Sequence, residues 1–446
     1  MISNRRSAGF DSSRVVVQQD PEHGQTFLED LDIRDGRFTE WLHGQRAARG
    51  QSTPLGPGYA PNLMVDRRPI VLLPTSAKET LPRLFEDMFL DVAAKSLRDF
   101  YSFDVHFQLP ETVKPGALLV TVQSFELRGS HRGLRVTLED LSANRSIWSH
   151  SLLTEIAPGP VAGSFDNSSL VAQLVSAVSE SLAMPILESS HDADANALCS
   201  LGIRKMFSMR HDALIEADAL FAKAYEIEPR GVFAAWRAQL ATIRYIERQG
   251  GDRDAHCESA REFAALAIEK EPTNSNVLSG VANAKLVLEG NVVLSAELAS
   301  QSVKANPSNP LGWWSLANAK LYGGDPAAAL DAAMRAQQLS EQTPLKFWCD
   351  FQLALVNAVL KRTDQAISNF EISQAMAPNF RPPLRYLTAL YALAGDIKNT
   401  SRVAQMLQDI EPDFSIERLL LDTDYPVSMM RNSDMLKSPT LRELLR

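Results

Sequence analysis

Cysteine is scarce: Cys199, Cys257 and Cys349 are the only three in 446 residues. They lie far apart, and no CxxC pair or Cys/His cluster occurs, so neither a zinc site nor a disulfide framework is indicated. Each has a helical context, so buried, inert thiols in a reducing cytosol are expected. Long apolar runs are missing too. No stretch of 18 apolar residues exists, and no membrane span is expected. The N-terminus carries Arg5 and Arg6 with no apolar segment behind them, unlike a secretory signal. Positive charge is short: 45 Lys and Arg face 54 Asp and Glu, a net charge of -9. That argues against a surface drawn to phosphate backbone or anionic lipid. Catalytic signatures are lacking as well, with no GxSxG, HExxH or GxxxxGK[ST]. The eight histidines are scattered. "HDADAN", His191 to Asn196, has metal-capable side chains but reads as a solvated linker before a helix. The expectation is a non-enzyme with no catalytic residues, no cofactor and no metal.

The rest is an ordinary globular mix, 45% hydrophobic and 22% charged. Residues 1–26 are polar and irregular. In "RDGRFTEWLHGQRAAR", Phe38, Trp41 and Leu42 share one helical face. "GQSTPLGPGYAPN", Gly50 to Asn62, is rich in Gly, Pro, Ser and Thr and reads as a linker. "PIVLLP", Pro69 to Pro74, suits a buried strand. Leu81, Leu84, Phe85, Met88, Phe89, Val92 and Leu97 then recur at helical spacing, and "FDVHF" suits a second strand. Leu134, Val136 and Leu138 alternate with Arg135, Thr137 and Glu139, the period of a half-buried antiparallel strand. Helical patterning returns around Leu170 to Leu187. The organisation read from these shifts is 1–49, a joint segment; 50–65, a linker; 66–187, a small α+β domain; 194–414, a repeat array; and 415–446, a C-terminal cap.

The array shows itself by period. Gly290 and Gly324 lie 34 residues apart. Around them recur Trp313-x2-Leu316, Ala217-x3-Phe221, Ala366-x3-Phe370, and the closing prolines Pro229, Pro307, Pro378 and Pro412. This resembles the tetratricopeptide (TPR) family, in which each unit is a helical hairpin that cannot bury its apolar face alone. Six units are expected: 198–231, 232–274, 276–309, 310–343, 347–380 and 381–414. The fold class is therefore a small α+β N-terminal domain followed by an all-α TPR solenoid. The resemblance implies a peptide or protein ligand on the concave face made by first helices. It makes Trp314, Asn318, Tyr322, Phe351, Arg385 and Ala389 groove positions. Trp314 and Phe351 could equally pack between units. No carboxylate clamp is present, since its slots carry Asn283, Ala317 and Thr388.

Two further stretches carry a second resemblance. Ile70-Val71-Leu72-Leu73-Pro74 and Ser146-Ile147-Trp148-Ser149 resemble the opening strand and closing hairpin of the TolB-like domain. That domain precedes TPR units in bacterial SARP- and CadC-like transcriptional activators. Thr75 replaces the usual phenylalanine. Leu28, Leu31, Ile33, Asp35, Phe38, Trp41 and Leu42 resemble the segment that closes the winged helix of SARP-type activators. Only residues 1–26 precede it, too few for that reader. So either the winged helix is missing or the true start lies upstream. What the resemblance implies is a cytoplasmic, non-catalytic regulator of transcriptional-activator type, acting through TPR contacts and without direct DNA binding from this chain. Phe38, Trp41 and Leu42 are then expected to dock on the α+β domain or the first TPR units, or to pair two chains. The alternative is a TPR scaffold or adaptor unrelated to transcription.

Overall fold

A computed structural model describes residues 67–127, 131–155, 166–188, 194–247, 252–437 and 439–443. Phe38, Trp41, Leu42 and the 50–65 linker lie outside the described residues. Arg67–Arg446 form one compact unit.

The unit opens with a mixed five-stranded sheet. Its strands are β1 (Pro69–Pro74), β2 (Asp104–His106), β3 (Leu118–Leu127), β4 (His131–Asp140) and β5 (Arg145–Glu155), in the order β2-β1-β3-β4-β5. β1 runs parallel to β2 and β3, and β3, β4 and β5 are antiparallel neighbours. The period-two pattern sets the register. Leu72, Val120, Leu138 and Trp148 line up across four strands on one face. Onto that face pack α1 (Leu81–Phe100) and α2 (Ser168–Glu188). Phe89, Leu90, Ala93 and Leu97 of α1 are buried, whereas Leu81, Leu84 and Met88 of the same apolar spacing are exposed. The start of α1 is tied to the sheet by Glu86. Its buried carboxylate accepts from Thr75 N, Ser76 N, Ser76 Oγ and Ser124 N at 2.6–2.9 Å.

Six helical hairpins follow: α3/α4 (Ala195–Phe207, His211–Ile227), α5/α6 (Gly231–Glu247, Arg253–Lys270), α7/α8 (Ser275–Glu289, Val292–Ala305), α9/α10 (Pro310–Tyr322, Pro326–Ser340), α11/α12 (Lys346–Val359, Thr363–Met376) and α13/α14 (Arg381–Leu393, Ile397–Ile410). A short helix, α15 (Ile416–Leu421), comes next. The small residues do what the repeat needs. Ala217, Ala329 and Ala366 are 0% exposed where paired helices meet, and Phe221 and Phe370 fill the space beside them. Three of the turns share one device. Gly324, Gly395 and Lys361 are left-handed, at φ 80°, 72° and 60°. The next residue donates its N–H back to a carbonyl five positions earlier: Asp325 to Lys320, Asp396 to Tyr391, Arg362 to Asn357. This is a Schellman ending, in which glycine avoids the Cβ penalty. Lys361 bears that penalty.

The sheet layer and the hairpins share a continuous core running from Ile70 to Phe380. Their joint also carries polar contacts, most of them buried. Asp99, near the end of α1, accepts from Ser275 Oγ at 2.6 Å and from Asn306 Nδ2 at 3.2 Å. Asn274 donates to the Asp99 carbonyl. Asn196 brackets the Ser102 backbone at 2.7 and 3.0 Å. Asp166, just before α2, pairs with Arg335 of α10 at 2.6 Å.

Candidate interaction surface of the helical array

The first helix of each hairpin is the inner one. α5, α7, α9, α11 and α13 are buried along almost their whole length, while their second helices keep exposed faces. Inner helices meet not only their neighbours but also helices several units away. Phe207 of α3 lies 5.4 Å from Trp348 and 6.1 Å from Phe347 of α11. Arg385 of α13 reaches Glu247 at the end of α5 at 3.3 Å.

The six groove positions divide accordingly. Trp314 and Asn318 of α9 are 6% and 7% exposed, and Arg385 and Ala389 of α13 are 1% and 0%. Trp314 packs on Trp348 at 4.7 Å. Phe351 of α11 is half-buried among Phe370, Phe380 and Tyr386, at 5.1–5.9 Å between ring centres. Tyr322, at the end of α9, is 43% exposed. All six sit on first helices, and in this closed arrangement Tyr322 alone faces solvent freely.

Arg385 centres a cluster that its position alone did not reveal. It donates to Glu411 at 2.8 Å and to the Tyr425 hydroxyl at 3.1 Å, and its guanidinium lies 5.1 Å from the Tyr425 ring centre. Burial would disfavour its charge, but Glu247, Tyr425 and Glu411 outweigh that and hold its proton more tightly than usual. Glu247 is pushed up, chiefly by burial, against the pull of Arg385 and Arg381. The sequence did hold a signal for Glu411. A Glu-Pro dipeptide closes three units, at Glu228, Glu271 and Glu411. Each of these glutamates takes an arginine: Arg67, Arg230 and Arg385.

The inner helices also carry polar groups left over. Trp236 Nε1 and Gln239 Nε2 of α5, Trp314 Nε1 of α9, and Gln352 Nε2 and Asn357 Oδ1 of α11 are buried with no hydrogen-bond partner among the described residues. Asn283 donates to Gln239 Oε1 at 3.2 Å, which leaves the Gln239 amide nitrogen as the spare group. Trp236, Gln239 and Trp314 line one narrow cleft with Asn276, Ser279 and Ser315. Such an inner face offers hydrogen bonds and aromatic packing. Buried thiols add no nucleophile: desolvation pushes Cys349 up to about 12 and Cys199 further. Among the described residues, no group of three or more His, Cys, Asp or Glu is placed to hold a metal. No helix among them is long and apolar enough to cross a membrane.

Comparison with protein-family models and with curated proteins finds no match. Solved structures similar to this chain include YrrB, described as a TPR protein with an unusual peptide-binding site. It is 20% identical, over 43% of this chain and 93% of that one, with a TM-score of 0.28. The Cut9–Hcn1 hetero-tetramer of APC/C is 16% identical over 58% and 54%, with a TM-score of 0.42. A thermophilic TPR protein of Thermus thermophilus is 16% identical over 48% and 98%, with a TM-score of 0.33. At these values the TPR-type solenoid rests on the hairpins and left-handed turns themselves.

Proposed function

We propose that this chain is a non-catalytic interaction scaffold that takes an extended segment of a partner protein along the first helices of its array. The observation that supports this most is the row of unpartnered polar groups on those helices. Each buried donor or acceptor left unsatisfied costs about 1–3 kcal/mol. A backbone laid along α5, α9 and α11 would supply both carbonyls and N–H groups to Trp236, Gln239, Trp314, Gln352 and Asn357. Binding requires the inner helices to part, so it is coupled to opening of the array. The test is a display library of random 12-residue peptides panned against the purified chain and against a Gln239→Leu/Gln352→Leu variant. Peptides enriched on the wild type and lost on the variant are expected. Equal enrichment on both would contradict the reading.

The finer assignment, a regulator of transcriptional-activator type in the cytosol, draws its support from the TolB-like and SARP-like resemblances of Ile70–Pro74 and Leu28–Leu42. A scaffold without any link to transcription fits the array equally well. With a net charge of -9, direct DNA binding is expected to be weak and without sequence preference. A salt-resistant, sequence-selective gel shift with this chain would overturn that part.

A further inference from the structure

The two edges of the sheet are not alike. β2, at one edge, is three residues long. β5, at the other, is eleven residues long and pairs only with β4 among the described residues. No backbone hydrogen bond from a turn or loop among them reaches it. A long edge offers a row of N–H and C=O groups to any further strand, and chains commonly blunt it with proline, lysine or shortness. β5, "RSIWSHSLLTE", has neither proline nor lysine. It carries a bulge at Ile147, where the register with β4 steps between Leu138 and Glu139. Its sequence also mirrors itself in chemistry. Outward from His150, both directions give a serine, a large apolar residue, an aliphatic residue, a hydroxyl and a charge. The two charges are opposite, Arg145 and Glu155.

We infer that β5 is a self-pairing edge: it takes the β5 of a second copy of this chain, antiparallel, with His150 on the two-fold axis. A two-fold interface joins one patch to itself, so the patch must be its own complement. The mirrored order of β5 meets that condition. Centring on His150 sets Ser149 opposite Ser151 of the second copy, and Trp148 opposite its Leu152, each twice. It also brings Arg145 of each copy to the end of the other strand that carries the glutamate. Parallel pairing in register would instead set arginine against arginine. Trp148 and Leu152 are half-buried against the core, and Trp148 stacks on His150 at 6.0 Å. An added strand therefore continues the apolar face of the sheet, while Ser149 and Ser151 stay on the exposed face. The bulge at Ile147 confines regular pairing to Trp148–Leu152 in each copy. So short a ladder makes a reversible, concentration-dependent dimer rather than a permanent one. An extended segment of another protein could add to the same backbone, but it would give no reason for the mirrored order. This inference does not depend on the peptide-binding reading.

Sedimentation equilibrium of the full chain over a range of concentrations is the test. The chain mass is 49.2 kDa, and a reversible species of twice that mass is expected. Ser149→Lys/Ser151→Lys changes two exposed positions that meet across the two-fold. It should weaken the dimer by about tenfold or more, since two like-charged cross-strand pairs result. Ser149→Lys/Ser151→Glu sets opposite charges across the same two-fold and should keep the dimer at least as tight as in the wild type. Association through any other surface would not tell these two variants apart in that order. Circular dichroism checks that both are folded. Should the double lysine variant fail to fold, Ser149→Glu/Ser151→Glu supplies the same repulsion. A chain that is monomeric at every concentration would overturn the inference. So would a dimer equally tight in the like-charged variant, or one lost in the Ser149→Lys/Ser151→Glu variant.

Discussion

Replacing Arg385 by Met should destabilise the array more than any other single change on its inner face. The guanidinium is 1% exposed, and the two carboxylates it serves, Glu247 and Glu411, are each 5% exposed. Methionine keeps much of the side-chain volume but leaves both acids without this cation. Breaking a buried pair from one side costs about 3–5 kcal/mol. Arg381 still donates to the Glu247 carbonyl at 3.2 Å and pulls on its charge. The expected cost near pH 7.5 is therefore at the lower end, about 3 kcal/mol. The pH dependence has a defined sign. Glu247 already has a raised pKa in the folded state, and loss of Arg385 raises it further. The folded variant thus binds a proton more tightly than the unfolded chain, so its deficit grows as pH rises above the ordinary carboxylate range and shrinks toward about pH 5. Urea unfolding followed by far-UV circular dichroism at both pH values measures this. The triple variant Arg385→Met/Glu247→Gln/Glu411→Gln, which has no charge left in the cluster, should recover more than half of the loss. A deficit below about 1 kcal/mol near neutral pH, or one that grows on acidification, would refute the reasoning.

Lys361→Gly should raise stability by about 0.5–1 kcal/mol, since the left-handed turn it occupies carries glycine in its counterparts; an unchanged urea midpoint would count against the shared turn geometry. Gly324→Val and Ala366→Trp should each destabilise neighbouring hairpins, the first through its backbone and the second through overpacking of about 1–3 kcal/mol. Asp166 is held below the usual carboxylate range by its hydrogen bond to Arg335, against partial burial. Its stabilising share is therefore present above the unfolded carboxylate range and lost as pH falls through the folded value. Asp166→Asn should flatten that part of the acid limb in a melting-temperature series.

The fold was readable where a spacing had one physical meaning. Glycine at 290 and 324, alanine before phenylalanine at 217 and 366, and closing prolines all mark hairpins whose halves must approach and stop. Alternation in β4 was equally direct, because one face packs on α1 and α2 and the other does not. α1 shows the limit. Leu81, Leu84 and Met88 satisfy the helical spacing yet remain exposed, since they fall on the face that continues through Asp91, Lys95 and Arg98, turned away from the buried side of Glu86, Phe89, Ala93 and Leu97. The inner face was legible only as a set of helices. Trp314 and Arg385 were named from their repeat positions. Their partners Trp348, Glu247 and Tyr425 come from other hairpins or from beyond them, and no local pattern fixes contacts across such separations. Glu411 lay in a recurring Glu-Pro pair, but its choice of Arg385 is a tertiary fact.

The account is tested most directly by hydrogen exchange of the full chain with and without a peptide enriched on it. Bound peptide is predicted to slow exchange of amides in α5, α9 and α11, whose unpaired side chains it would satisfy, and to leave the exposed second helices α6, α10 and α12 unchanged. Protection confined to those second helices or to the sheet layer would contradict an inner binding face.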